Sequence, residues 1–290
     1  MKIDFVVPGY SKCGTTTLCA LLAEHPGVFI SKVKEPGFFA HEYDRGWDWY
    51  KAFFEDARDD QLHGEGSTFY SSDEYAELSC TRILERFPAT RFIFMVRNPI
   101  KRIESSYREL HHIGQLFGVS APFSLPETLK AFPNMLNDTL YWTQLCKYRR
   151  HVPDKRILIM FLEDFEKDPA AELQRCFRFL GLDPSVPISN VGRKLNTASA
   201  KLYDSKLLRF IHTHPWASRL WGALPDETQA RLIARFHLRK PFVGPVVWTD
   251  ESRDLTIDWL RDDVAHLLRH CGKPADFWPE FDVRQGRAAA

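Results

Sequence analysis

A three-layer α/β fold is predicted, with a central, mainly parallel sheet and a phosphate-binding loop resembling a P-loop. Three observations carry that prediction. Strand-like apolar runs alternate with helical patterns from residue 3 to about residue 180. Parallel strands need crossover connections, and the crossing helices cover both faces of the sheet. A glycine-framed turn follows the first strand, and a second strand ends on an arginine just before a helix.

The run Ile3–Pro8 reads as a buried strand and Thr15–Glu24 as the helix that follows. Between them stands Gly9-Tyr10-Ser11-Lys12-Cys13-Gly14-Thr15-Thr16-Thr17. Two glycines with four residues between them let backbone N–H groups turn inward around an anion. The helix N-terminus adds its positive dipole end, and the threonine hydroxyls add donors. In nucleotide hydrolases a lysine follows the second glycine and the next hydroxyl binds magnesium. Here Thr15 fills the lysine position and Lys12 lies inside the loop. The expected ligand is a phosphate other than the β- and γ-phosphates of a metal-bound triphosphate.

Further strands are predicted at Val28–Ser31, around His63–Ser67, at Arg91–Val96 and at Arg156–Phe161. Helices are predicted at Asp73–Phe87, Ile100–Leu110, Asn137–His151 and Pro169–Leu180. Arg97 stands at the carboxyl end of its strand, Asn98-Pro99 makes a turn, and Ile103, Tyr107 and Leu110 give the next helix an apolar face. An arginine fork with a nearby hydroxyl, here Ser105, suits a terminal phosphate monoester. A single arginine after a strand more often serves structure, so this segment alone does not decide the ligand. The stretch His111–Asn137 carries Gly114, Gly118, Pro122, Pro126 and Pro133. It reads as a loop-rich lid or substrate-binding insertion, or equally as a surface excursion. After Gly181 the chain turns irregular through Ser199, and the part from residue 201 onward is expected to be helical and to pack on the core. Residues 1–290 thus read as one domain.

The net charge of +1 gives no support for a nucleic-acid or membrane partner. The six cysteines show no metal-ligand spacing, so reduced thiols and no metal site are expected. The first strand begins near residue 3 and no apolar run would span a bilayer, which predicts a cytoplasmic protein.

Taken together, the loop after the first strand and the Arg97/Ser105 segment resemble the two cofactor-binding signatures of sulfotransferases that use 3′-phosphoadenosine 5′-phosphosulfate (PAPS). Lys34-Glu35-Pro36-Gly37-Phe38-Phe39, then Gly46-Trp47-Asp48-Trp49-Tyr50, is similar to the segment after the second strand in heparan sulfate and related bacterial enzymes. Glu163-Asp164-Phe165, Asp168-Pro169 and Phe179-Leu180-Gly181-Leu182 continue the likeness. It implies sulfuryl transfer to a hydroxyl, or an amine, of a carbohydrate or small-molecule acceptor. The product would be adenosine 3′,5′-bisphosphate, and no metal is implied.

The same resemblance implies roles. Lys12 would meet charge on the departing 5′-phosphate. Ser11, Cys13, Gly14, Thr15, Thr16 and Thr17 would complete the loop that holds it. Arg97 and Ser105 would hold the 3′-phosphate, with Gly192, Arg193 and Lys194 closing over it. Glu35 would be the general base, as in the heparan-type branch, whereas the cytosolic small-molecule branch uses a histidine elsewhere. A surface glutamate paired with Lys32 or Lys34 is the plainer reading of Glu35. His41, His63, His111 and His112 are the reserve candidates.

One departure stands out. Heparan-type enzymes carry Glu-Lys-Ser/Thr-Pro-x-Tyr in the third-strand region, whereas this chain has Glu65-Gly66-Ser67-Thr68-Phe69-Tyr70. Without that lysine a neutral sugar, lipid-linked glycan or hydroxylated metabolite is as natural an acceptor as a polyanion. Two rival readings are a P-loop kinase or hydrolase and a non-catalytic protein that binds adenosine bisphosphate. Thr15 weighs against the first, and the presence of both Lys12 and Glu35 against the second.

Overall fold

Five parallel strands carry the site, in the spatial order β2-β3-β1-β4-β5. They are β1 (Phe5–Gly9), β2 (Val28–Ile30), β3 (Leu62–Gly66), β4 (Arg91–Val96) and β5 (Ile157–Phe161). The computed structural model describes residues 1–113, 119, 121–190, 202–242 and 244–282. The chain divides into two compact units. The first comprises Met1–Arg102, Asn134–Leu195 and Asp254–Ala290, and the second Ile103–Pro133 and Asn196–Arg253.

In the first unit, helices α1 (Thr15–Leu22), α2 (Trp47–Lys51) and α3 (Ala76–Arg86) connect β1 to β4. Helix α4 (Pro99–Ile113) begins there and runs into the second unit, which also holds α5 (Leu125–Ala131). Back in the first unit, α6 (Asn134–Asn137) and α7 (Tyr141–Arg149) precede β5, and α8 (Leu162–Lys167) and α9 (Pro169–Leu180) follow it. The second unit adds β6 (Leu202–Asp204), α10 (Lys206–Thr213), α11 (Pro215–Gly222), α12 (Asp226–Arg235) and β7 (Arg239–Pro241). The long helix α13 (Asp250–His270) lies mostly in the first unit.

Every residue of β1, and Phe92 through Val96 of β4, is buried. Burial at both alternating sets of positions means both sheet faces are covered, as a parallel sheet requires. Each large apolar side chain so placed contributes about 1.5–3 kcal/mol. Because all the strands run the same way, the loops after β1, β2, β3 and β4 gather along one edge, where open α/β sheets bind ligands. Among the described residues no helix is long and apolar enough to cross a membrane, and none of the six cysteines forms a disulfide.

Two sequence expectations need correction. The helix predicted at Asn137–His151 starts later, as α7 at Tyr141, and Asn137 instead ends the separate short helix α6. Asp263 of α13 caps the start of α7: its carboxylate accepts from the Trp142 and Thr143 N–H groups at 2.9 and 2.8 Å. No local pattern could announce a cap supplied from α13. The insertion His111–Asn137 is also less loop-like than its prolines suggest. Pro126 stands in the first turn of α5, where its missing N–H costs nothing, and Ser124 caps that helix by accepting from the Glu127 N–H. Residues 114–118 and 120 of the insertion lie outside the described residues.

Candidate active site

The loop after β1 is built on left-handed backbone. Gly14 has φ 93°, and a Cβ there would lie 2.9 Å from Leu162 Cδ1, so only glycine fits. Lys12 adopts φ 67° although it carries a side chain, a conformation that costs an ordinary residue about 1–3 kcal/mol. Helix α1 starts at once: the Leu18 N–H donates to the Gly14 carbonyl at 3.1 Å. The N–H groups of Thr15, Thr16 and Thr17 precede that first helical bond and are the donors a helix start offers to an anion. No acidic side chain occupies that turn.

Two arginines hold the carbonyl side of the loop. Arg102, only 3% exposed, donates from Nε to the Ser11 carbonyl at 3.2 Å and from Nη1 to the Met135 carbonyl and Thr139 Oγ1. Arg97 donates from Nη1 to the Lys12 carbonyl at 3.4 Å, as expected from β4 lying beside β1. Tying the Ser11 and Lys12 carbonyls to guanidinium groups fixes the loop in one conformation. Cys13 departs from its expected part in the site. Its N–H donates to the Tyr10 carbonyl at 3.2 Å, its thiol lies 3.4 Å from the Tyr141 hydroxyl, and burial pushes that thiol up to about 11. It therefore packs the loop from beneath and adds no donor for a ligand.

Arg97 follows β4 directly, and its carbonyl accepts from the Tyr141 hydroxyl at 3.0 Å. Asn98 starts α4: its carbonyl accepts from the Arg102 N–H, and its side chain donates to Glu280 at 3.0 Å. Residues near the described C-terminal end thus brace the turn that presents Arg97. Ser105 is half-buried on the second turn of α4. Gly192, Arg193 and Lys194 lie outside the described residues.

Glu35 follows β2 and, like Lys12, has a left-handed backbone, at φ 55°. Its Oε2 accepts from Thr68 Oγ1 at 3.2 Å, and its Oε1 lies 3.6 Å from Lys34 Nζ. Lys32 pairs instead with Asp56, at 2.9 Å. Of the reserve histidines, His41 comes nearest to this segment: a Cβ on Gly37 would lie 2.6 Å from its Cε1. The His63 ring bonds to the Arg58 carbonyl and stands near the amino end of β3, away from the loops. His111 and His112 belong to the second unit. There burial, with Arg209 nearby, lowers the His111 pKa to about 4, and the His112 ring accepts from the Leu202 N–H.

Sequence reasoning missed Arg102, Thr68 and Tyr141. Arg102 left a trace as a charged residue between Ile100 and Ile103, and Thr68 as the residue in the proline position of the heparan-type pattern. Among the described residues no group of three His, Cys, Asp or Glu side chains gathers to hold a metal ion.

A glycine-framed anion loop after β1, braced by an arginine after the neighbouring β4, defines a phosphate-binding α/β protein. Residues 2–214 match the family described as Sulfotransferase domain, and the chain belongs to that family. It is 28% identical over 281 residues to the human bifunctional heparan sulfate N-deacetylase/N-sulfotransferase 2, covering 90% of this chain and 31% of that protein. It is 32% identical over 188 residues to the mouse heparan sulfate glucosamine 3-O-sulfotransferase 6, covering 61% of this chain and 52% of that protein. The chain thus spans about a third to a half of the length of these relatives. The crystal structure of a sulfotransferase from Alicyclobacillus acidocaldarius shares the fold, with a TM-score of 0.67 at 18% identity over 96% of this chain and 99% of that one.

Proposed function

We propose that this chain transfers a sulfuryl group from PAPS to a hydroxyl, or an amine, of a carbohydrate or small-molecule acceptor. The observation that carries the proposal is the pair of left-handed residues at one sheet edge, Lys12 after β1 and Glu35 after β2. Of the three non-glycine residues with positive φ among those described, these are the two in the unit that holds the five-stranded sheet; the third is His237. Strained backbone collects where geometry serves chemistry. Membership of the sulfotransferase family gives this pair its reaction.

The residues fit a bisphosphorylated nucleotide. Thr15, Thr16 and Thr17 would hold its 5′-phosphate end through N–H and hydroxyl donors, and Arg97 its 3′-phosphate. When bound, PAPS supplies the sulfuryl group and departs as adenosine 3′,5′-bisphosphate. Lys12 would meet the negative charge that grows on the leaving oxygen. Glu35, oriented by Thr68 and Lys34, would take the proton from the acceptor. Positioning and charge stabilisation of this kind do most of the work in such in-line transfers.

The acceptor is best read as neutral. Gly66 has no side chain, and a Cβ there would lie 2.7 Å from Cys19 Sγ of α1. The space beside β3 is taken by a neutral thiol, whose pKa burial raises to about 12. Position 66 itself supplies no cation, and the nearby Lys34 lies 3.6 Å from the Glu35 carboxylate.

Thermal-shift measurements with adenosine 3′,5′-bisphosphate, AMP, ATP and GTP test this reading. The bisphosphate is expected to stabilise the protein most. Arg97→Ala should abolish most of its advantage over AMP, because a charge-assisted bond to phosphate is worth about 1.5–3 kcal/mol. Equal shifts from the bisphosphate and AMP would remove the 3′-phosphate site, and preference for ATP with magnesium would favour a kinase.

A further inference from the structure

The inference concerns Glu65 and rests on the reading of Glu35 as the base. Glu65 is fully buried in β3. Its Oε1 accepts from the Tyr50 hydroxyl at 2.8 Å and the Tyr70 hydroxyl at 3.0 Å, and its Oε2 from Ser67 Oγ at 2.9 Å. Two of those hydroxyls are themselves acceptors. Ser67 Oγ takes the Gly37 N–H at 3.0 Å, and Tyr70 Oη takes the Phe39 N–H at 3.1 Å.

We propose that Glu65 is a positioning residue, a buried anchor that fixes the 35–39 segment and so holds Glu35 in its left-handed, reactive orientation. The direction of the bonds is the reason. A hydroxyl has one proton to give. Ser67 and Tyr70 point theirs at Glu65, which accepts from both, and each turns a lone pair to the Gly37 or Phe39 N–H. A group that donates at this position would strand one hydroxyl proton without its acceptor, and that hydroxyl must turn to find another, which loosens its bond to the backbone N–H. Phe38, between the two tied amides, is stacked on Tyr50 at 4.5 Å, and Tyr50 also donates to Glu65. All three ties therefore converge on one carboxylate.

The titratable groups that interact with Glu65 are Tyr50, Tyr70, Tyr148 of α7 and Cys19 of α1, and each has its pKa raised chiefly by burial. Burial pushes the Glu65 carboxyl up to about 7, and the three hydroxyl donors oppose that rise.

Glu65→Gln tests the proposal, because the amide keeps the shape but replaces an acceptor by a donor. Two readouts are measured on the full chain. Hydrogen exchange at the Gly37 and Phe39 amides should quicken about tenfold or more, the scale of one lost bond to a charged group, while the Leu18 amide of α1 stays unchanged. With PAPS and methyl β-glucoside as the probe acceptor, kcat should fall by about tenfold or more while the Kd for adenosine 3′,5′-bisphosphate holds. The decisive arm is the double variant. In a Glu35→Gln background, Glu65→Gln should cost no further kcat, because a residue acting through Glu35 has nothing left to position.

Unchanged exchange at both amides, or an equal kcat loss in both backgrounds, would overturn the proposal. If Glu65→Gln does not fold, Ser67→Ala and Tyr70→Phe carry the same comparison, releasing Gly37 and Phe39 one at a time. If the wild-type chain shows no turnover while exchange quickens as expected, the anchor stands and the reading of Glu35 as base fails.

Discussion

Replacing Glu35 with glutamine is expected to lower kcat by about 10²–10⁴-fold, the contribution of a positioned general base to attack by a weak nucleophile. Binding of adenosine 3′,5′-bisphosphate should be unchanged, since Glu35 follows β2 whereas the phosphate loop follows β1. Glutamine keeps the size of the side chain and can still accept from Thr68 Oγ1, so the loss reports the missing base rather than a collapsed segment. Single-turnover rates at saturating donor would check it. A near-normal rate would transfer the role to a histidine, and His41, packed against Gly37, would be the first to replace.

Lys12→Ala is expected to lower kcat by about a hundredfold or more, the scale of one preorganised donor at a developing charge. Lys12→Gly should lower it as much and yet fold more stably than the alanine variant, by about 1 kcal/mol, because glycine relieves the left-handed strain at φ 67°. The contrast separates function from fold: the two variants share the lost amine and differ only in the backbone penalty. Melting temperatures and kcat measured side by side would show it. Turnover should also survive EDTA, since Lys12 and the α1 dipole meet the leaving charge that magnesium meets in a triphosphate site. Strict dependence on magnesium would point to the kinase reading instead.

Much of the fold was legible because its signals are local. The buried run Arg91–Val96 and the helix Pro169–Leu180 have the predicted bounds, one set by an unbroken apolar run, the other by Asp168-Pro169 at its start and Gly181 at its end. The strand before the phosphate loop was placed within two residues at its start and one at its end. Failures came where a distant side chain decides a local outcome, as Asp263 does by capping the start of α7.

The site divides along the same line. By itself the sequence determined the parallel sheet, the glycine-framed loop with its displaced Lys12, Arg97 at a strand end and Glu35 after the second strand. Each is written in spacing over a few residues, where backbone geometry and hydrophobic period leave few alternatives. Only the tertiary structure decided what holds them: Arg102 on the Ser11 carbonyl, 91 residues away in the chain, Thr68 on Glu35, 33 residues away, and Ser67 on the Gly37 amide, 30 residues away. Such bonds join groups that meet only once the strands have paired. Their directions follow from which buried donor must find an acceptor, and a linear pattern does not record that.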